Sequence, residues 1–360
     1  MNRTASEIGS EFSSNILTKG ENSLDDLLPN QRFYLSGRTA LAAIIDDINV
    51  LAPIKRAYLP SYCCESMIEP FLRKGIEVSF YSVGLSDQNK FEVEYDYNHG
   101  CDVVLVMYYF GFIQEQIQEI LEHEKSAIII QDITHSMFCE GGIAETPHYW
   151  FSSVRKWSAI PGVGIAGKRN PWNTEANDNK QSSAFSQLRV QATELKQQYL
   201  DGIIKDKDEY LRLFNQAETI LDEEYEGYGC DPVSFNILAH LDIDALIQRR
   251  RENAHYIYEV LSNHSNLSLL FEYDIERDCP LFVPIILPNQ RDQVKIDLIE
   301  SNIYTPVHWP IPKSVQLQSR ETVLYNQELS LLCDQRYSVG DMQTQCDVFI
   351  GILNELGTNR

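Results

Sequence analysis

At 360 residues, with 43% hydrophobic and 11% aromatic content, the chain is too rich in core-forming side chains to be disordered and too long for one simple core. A formal net charge of −22 excludes nucleic acid as a partner, because a broad acidic surface repels phosphate, but it leaves room for a locally basic pocket. No apolar run is long enough for a membrane span, the first thirty residues lack a secretory signal, and eight cysteines without a CxxC pair read as reduced thiols of a cytoplasmic protein.

Residues 1–30 form a polar lead-in with weak periodicity. Ser36-Gly37-Arg38-Thr39 reads as a glycine turn entering a strongly helical run through Ile45. Strand and helix signals then alternate. Arg56 to Leu59 is a short strand stopped by Pro60, Cys63 to Arg73 a helix, and Glu77 to Val83 a strand. Asp102 to Tyr109 is a continuous apolar strand of the kind buried on both faces of a parallel sheet. Gln114 to His123 reads as a helix, and Ala127 to Gln131, Tyr149 to Ser153 and Gly164 to Gly167 as strands. Such alternation predicts an α/β domain with a mainly parallel central sheet flanked by helices. Residues 171–185, with Asn173, Asn177 and Asn179, read as a loop. Ser186 to Glu224 reads as one long helical region and Ile243 to Leu261 as a second helix. Phe282 to Leu287 reads as a strand, and Val294 to Ser301 and Asp341 to Leu356 as helices. The expected division is a large domain over residues 31–229 and a smaller C-terminal α+β domain over 230–360.

Two strand ends carry the chemistry. Ile128 to Gln131 is a buried strand running into Asp132, and Tyr149 to Ser153 runs into a turn bearing Lys156. A buried carboxylate is costly unless it has a partner. An acid and a lysine on such ends are what a pyridoxal phosphate (PLP) site needs: the lysine for a Schiff base, the acid to keep the pyridine nitrogen protonated. Adjacent Arg155 and burial would both lower the lysine pKa. The alternatives are a helix cap or structural salt bridge for Asp132 and a surface position for Lys156.

Ser36-Gly37-Arg38-Thr39, at a helix start, offers free backbone N–H groups to a phosphate, although a plain helix cap uses the same residues. Ser152 or Ser153 would add a hydroxyl to that phosphate. His135 would reach the phenolic oxygen of the ring, or is structural. Tyr62 would stack on the ring, and Tyr109, His308, Trp309 and Arg336 are candidate substrate contacts; each is equally readable as core or cap. HExxH, Cys/His clusters, EF-hand loops, GxSxG and GxGxxG are all missing, so no metal is expected.

The order of these motifs resembles the DegT/DnrJ/StrS family of PLP-dependent sugar aminotransferases. It comprises the Ser-Gly-x-Thr-Ala-Leu helix start, Leu59-Pro60-Ser61-Tyr62, Tyr109-Phe110-Gly111, Asp132-x-x-His135, and a serine-preceded lysine before a glycine turn. The resemblance covers residues 31–170 well and the rest loosely. It implies the aspartate aminotransferase-like type I fold, Lys156 as the Schiff-base lysine, Asp132 as the pyridinium partner and His135 near the ring oxygen. It also implies phosphate binding by Gly37, Arg38 and a serine, and a homodimer with its site at the interface. The chain departs from the family pattern at Arg38, at Cys64 where an aromatic is common, and in Ser152-Ser153-Val154-Arg155-Lys156. The expected reaction transfers an amino group from an amino acid, glutamate, to a keto sugar nucleotide. The alternatives are dehydration, elimination or decarboxylation with the same cofactor, or a non-catalytic binding protein of the same fold.

Overall fold

The computed structural model describes residues 7–20, 27–175 and 183–358. Asn177 and Asn179 of the expected loop, and parts of the polar lead-in, lie outside them. In chain order come β1 (Ile8–Gly9), β2 (Arg32–Tyr34), α1 (Gly37–Leu51), β3 (Arg56–Pro60), α2 (Glu65–Arg73), β4 (Glu77–Leu85) and β5 (Phe91–Glu94). Then follow β6 (Val103–Met107), α3 (Glu115–His123), β7 (Ile128–Asp132), β8 (Tyr149–Ser153) and β9 (Gly164–Lys168). The helices α4 (Ser183–Leu200), α5 (Asp208–Glu223), α6 (Pro232–His240) and α7 (Ile243–Leu261) come next. The chain ends with β10 (Ser268–Leu269), β11 (Val283–Ile286), α8 (Arg291–Glu300), β12 (Ile303–Tyr304), α9 (Ser319–Gln327), β13 (Glu328–Leu331) and α10 (Val339–Thr358).

The large sheet runs β2-β9-β8-β7-β6-β3-β4-β5. Its centre, from β8 to β4, is parallel, and β9, β2 and β5 are antiparallel additions. β6 (Val-Val-Leu-Val-Met) is buried along its whole length, as an apolar strand in a covered parallel sheet should be. α1 packs on β8 and β9, α2 on β4, and α3 on β5 and β6. α1 starts where the sequence implies: Ser36 is the N-cap, and its Oγ accepts the Thr39 N–H at 3.2 Å. A small antiparallel sheet, β10-β11-β13, lies in the C-terminal part. The fold is thus the mainly parallel α/β architecture expected, with a small C-terminal sheet.

One expectation needs correction. The region from Ser186 to Glu224 is two helices, α4 and α5, packed as a hairpin. The break falls at Gly202, which takes φ 73°, a conformation that glycine adopts at little cost. Within the lead-in, β1 pairs in parallel with β12. The Arg336 guanidinium reinforces this by donating to the carbonyls of Gly9, Ser10 and Glu11.

Asp47 on α1 is fully buried and acts as a hub. It accepts from Lys168 Nζ at 2.7 Å, the Tyr149 hydroxyl at 2.9 Å, and the Asn173 and Thr174 N–H groups at 2.6 and 2.8 Å. Burial alone would raise its pKa; the Lys168 ammonium and these hydrogen bonds outweigh that and hold it below the usual value. Asp47→Ala should destabilise the protein by about 3–5 kcal/mol, because it strands the Lys168 charge in the interior. The urea midpoint reads this; a loss under about 1 kcal/mol would show that water replaces the carboxylate.

Candidate active site

The chain runs from β3 to β4 on one side, then crosses back to β6 on the other. That makes β3/β6 a switch point, where ligands bind beyond the carboxyl ends of the strands. A cavity of about 680 Å³ opens there. Met107, Asp132 and Phe151 lie in register across β6, β7 and β8, and all three line it. Cys64 beyond β3, Ser153 at the end of β8, and Ser36, Gly37 and Arg38 at the start of α1 complete much of the wall. A Cβ on Gly37 would come within 3.0 Å of Ser153 Cβ. Glycine therefore lets the helix start and the strand end approach each other.

Asp132 is 4% exposed. Its Oδ1 accepts the Thr134 N–H at 2.8 Å, and among the described residues no cation pairs with it. Burial pushes its pKa up to about 6, against the opposing hydrogen bonds of Thr134 and the charge of Lys156. Lys156 ends a 3-10 turn, Val154–Lys156, that follows β8 directly. Its side chain opens into the cavity and makes no hydrogen bond or ion pair among the described residues. The side chain is exposed at the cavity, and the protein packed around it, then the neighbouring Arg155 charge, lower its pKa. Thr134 joins the two: besides its bond to Asp132, its Oγ1 accepts the Ser153 N–H at 3.0 Å and its carbonyl the Trp157 indole N–H at 2.7 Å. The sequence reading missed Thr134, although a residue two places beyond an Asp is where a turn-forming N–H is found.

His135 also lines the cavity, but both its nitrogens are engaged. Nδ1 is 3.1 Å from the Phe110 N–H, which can only donate, so Nδ1 accepts and the proton sits on Nε2. Nε2 then donates to His308 Nε2 at 3.1 Å, leaving His308 Nδ1 as a buried N–H with no partner. Burial, then the Lys156 charge, push the His135 pKa down to about 3, so the ring is neutral. The hydrogen bond expected from His135 to a ring oxygen would require it to leave His308.

The other candidates divide. Gly37, Arg38, Ser153 and Trp309 line the same cavity as Asp132 and Lys156. Arg38 is spent on acids, at 3.3 Å from Glu69 and 2.9 Å from Asp222. Ser152 points the other way along the pleat, its hydroxyl 3.3 Å from Met137 Sδ. The Thr39 hydroxyl donates to the Tyr225 carbonyl at 3.1 Å. Tyr62 is not among the residues lining the cavity: its ring is buried, 5.0 Å from Trp309 and 4.8 Å from Tyr325. Phe151 and Trp309 are the aromatic residues of the cavity. Tyr109 is buried too, its hydroxyl donating to the Tyr62 carbonyl at 2.9 Å. Arg336 lines a neighbouring cavity of about 490 Å³, which shares Arg155, Lys156 and Glu218 with the first.

The chain matches no protein-family model and no curated protein. Its similarity to solved structures extends over nearly its full length. PseC, a Helicobacter pylori aminotransferase involved in the biosynthesis of pseudoaminic acid, covers 97% of this chain and 98% of its own, with a TM-score of 0.64 at 12% identity. A DegT DnrJ EryC1 StrS aminotransferase from Brucella abortus covers 90% and 86%, with a TM-score of 0.60 at 14% identity. DesV of S. venezuelae, solved with a ketimine intermediate, covers 93% and 90%, with a TM-score of 0.61 at 13% identity. The chain therefore has the fold of the sugar aminotransferases.

Proposed function

We propose that the chain is a PLP-dependent aminotransferase that moves an amino group from glutamate to a keto sugar nucleotide. One observation carries this reading: a buried carboxylate without a cation among the described residues, Asp132, shares a cavity with a lysine that makes no hydrogen bond or ion pair among them, Lys156. The residues fit PLP. A protonated pyridine nitrogen is the cation Asp132 lacks, and the close approach of Gly37 to Ser153 leaves a helix start and a hydroxyl for the phosphate. When bound, PLP supplies the electron sink that stabilises negative charge at the donor Cα.

The protein's own groups do the rest. Thr134 orients Asp132. Lys156, whose pKa is lowered by its surroundings and by Arg155, would hold the cofactor through Nζ and would supply the base that takes and returns the Cα proton. Phe151 and Trp309 give the cavity apolar walls. A keto sugar as acceptor is supported by the sugar aminotransferases that share the fold.

The test is the visible spectrum after incubation with PLP, before and after glutamate, with Lys156→Ala in parallel. A lysine-dependent band that glutamate removes supports the reading. A band that amino donors leave unchanged points to another PLP reaction, and no lysine-dependent band to a non-catalytic binder. A second comparison concerns the serines. Ser153→Ala should weaken PLP retention about tenfold, the worth of one hydrogen bond to a charged group. Ser152→Ala should leave it unchanged, since that hydroxyl faces Met137. Equal losses in a fluorescence titration would reject this assignment.

A further inference from the structure

The 490 Å³ cavity beside Lys156 has a different character from its neighbour. Five cationic side chains line it, Arg155, Lys156, Arg189, Arg250 and Arg336, against three carboxylates, Glu11, Glu218 and Asp334. In a chain of net charge −22 this is a local reversal of sign. Two of the arginines are committed. Arg250 donates to the Pro280, Leu281 and Trp157 carbonyls and to Gln335, and Arg336 is bound bidentately to Asp334.

Arg155 and Arg189 differ. Both lean on one acid: Arg155 grips Glu218 with both terminal nitrogens, and Arg189 Nη1 donates to the same Glu218 Oε1 at 2.9 Å. The only other acid near Arg189 among the described residues is Glu11, at 3.8 Å. The Nε–H of each arginine is buried and has no partner. Arg189 itself is 7% exposed. A guanidinium offers five N–H donors in a rigid fork, and one carboxylate cannot satisfy two of them. Glu218 stands on α5 with its side chain 41% exposed, free to turn outward. Arg189 comes from α4, so the helical hairpin brings both members of the network to the lysine.

We infer that Arg155 and Arg189 form a carboxylate subsite beside Lys156, that Glu218 occupies it in the free protein, and that a carboxylate of the amino donor displaces Glu218. The identity of the donor rests on the proposed aminotransferase function; the subsite does not. A carboxylate fits better than a phosphate because the group already seated there is a carboxylate held in a bidentate fork. The donor would then lie with one end on the arginines and its amino group toward Lys156, which lines both cavities.

The experiment is calorimetric titration of the full chain with 2-oxoglutarate and, separately, inorganic phosphate. Glu218→Gln should tighten 2-oxoglutarate about tenfold, because the incoming carboxylate no longer competes with an internal one. Arg189→Lys, which keeps the charge but loses the fork, should weaken it about tenfold. The Glu218→Gln result decides alone if Arg189→Lys does not fold. No tightening in Glu218→Gln, or equal tightening of phosphate, overturns the subsite, the latter because it reports only a change in general charge. The two readings fail separately. A lysine-dependent PLP band without Glu218-dependent binding removes the subsite alone. Glu218-dependent binding without such a band removes the aminotransferase reading and keeps the subsite.

Discussion

Lys156→Ala should abolish amino transfer, by on the order of 10⁵-fold, while the protein stays folded. The size follows from the chemistry: a bonding nucleophile and a proton carrier vanish together, and what remains is binding. The tolerance of the fold follows from the structure. Lys156 makes no hydrogen bond or ion pair among the described residues, and its side chain opens into a cavity. Truncating it leaves no interior charge stranded. Stopped-flow absorbance with glutamate reads the activity, and circular dichroism the fold. Near-normal transfer by this variant would end the aminotransferase assignment.

Asp132→Asn should act in two opposite directions. Without cofactor it should stabilise the protein at neutral pH. The carboxyl pKa is raised by burial to about 6 from an ordinary 3.8, so folding favours the protonated form. That contribution is fully present below about pH 3.8 and is lost as pH rises through about 6. The difference corresponds to roughly 3 kcal/mol at most. Asparagine carries no charge to bury and can still accept the Thr134 N–H. The variant should therefore melt higher than the parent at pH 7.5, and the gap should close by pH 4. A gap that persists at pH 4 would assign the effect to packing instead. With cofactor the sign reverses. Asparagine cannot balance a protonated ring nitrogen, so PLP should bind more weakly and transfer should fall about 10³-fold or more.

The sheet, and the strand ends that bring Asp132 and Lys156 to one cavity, were legible because both depend on local patterns. Val103 to Met107 and Ile128 to Gln131 are apolar runs of strand length, and an acid at the end of one and a lysine soon after another need no long-range knowledge. Which serine faces the cavity depends on strand phase: Ser152 and Ser153 are adjacent, so the pleat sends one to each side. Tyr62 and Tyr109 lie outside the cavity lining for a related reason. An aromatic residue at a strand end can cover the ligand or the core, and here Trp309, more than two hundred residues downstream, takes the wall and leaves Tyr62 behind it. The break between α4 and α5 did have a signal, in Asp201-Gly202 within a helical run. The meeting of Arg155 with Arg189 and Glu218 had none, since nothing along the chain says how the hairpin folds back.

The pairing of β1 with β12, and the hold of Arg336 on the Gly9, Ser10 and Glu11 carbonyls, have a consequence for how the protein is made. Ser10, Glu11 and Phe12 precede the large sheet in the chain, yet they wall the cavity beside Lys156 together with Arg336, more than three hundred residues later, which holds the Ser10 and Glu11 carbonyls. A nascent chain can form the β6-β7-β8 core as it emerges, but the second cavity stays open to water until residue 336 has left the ribosome. The wall beside Lys156 is thus complete only after residue 336 has been made.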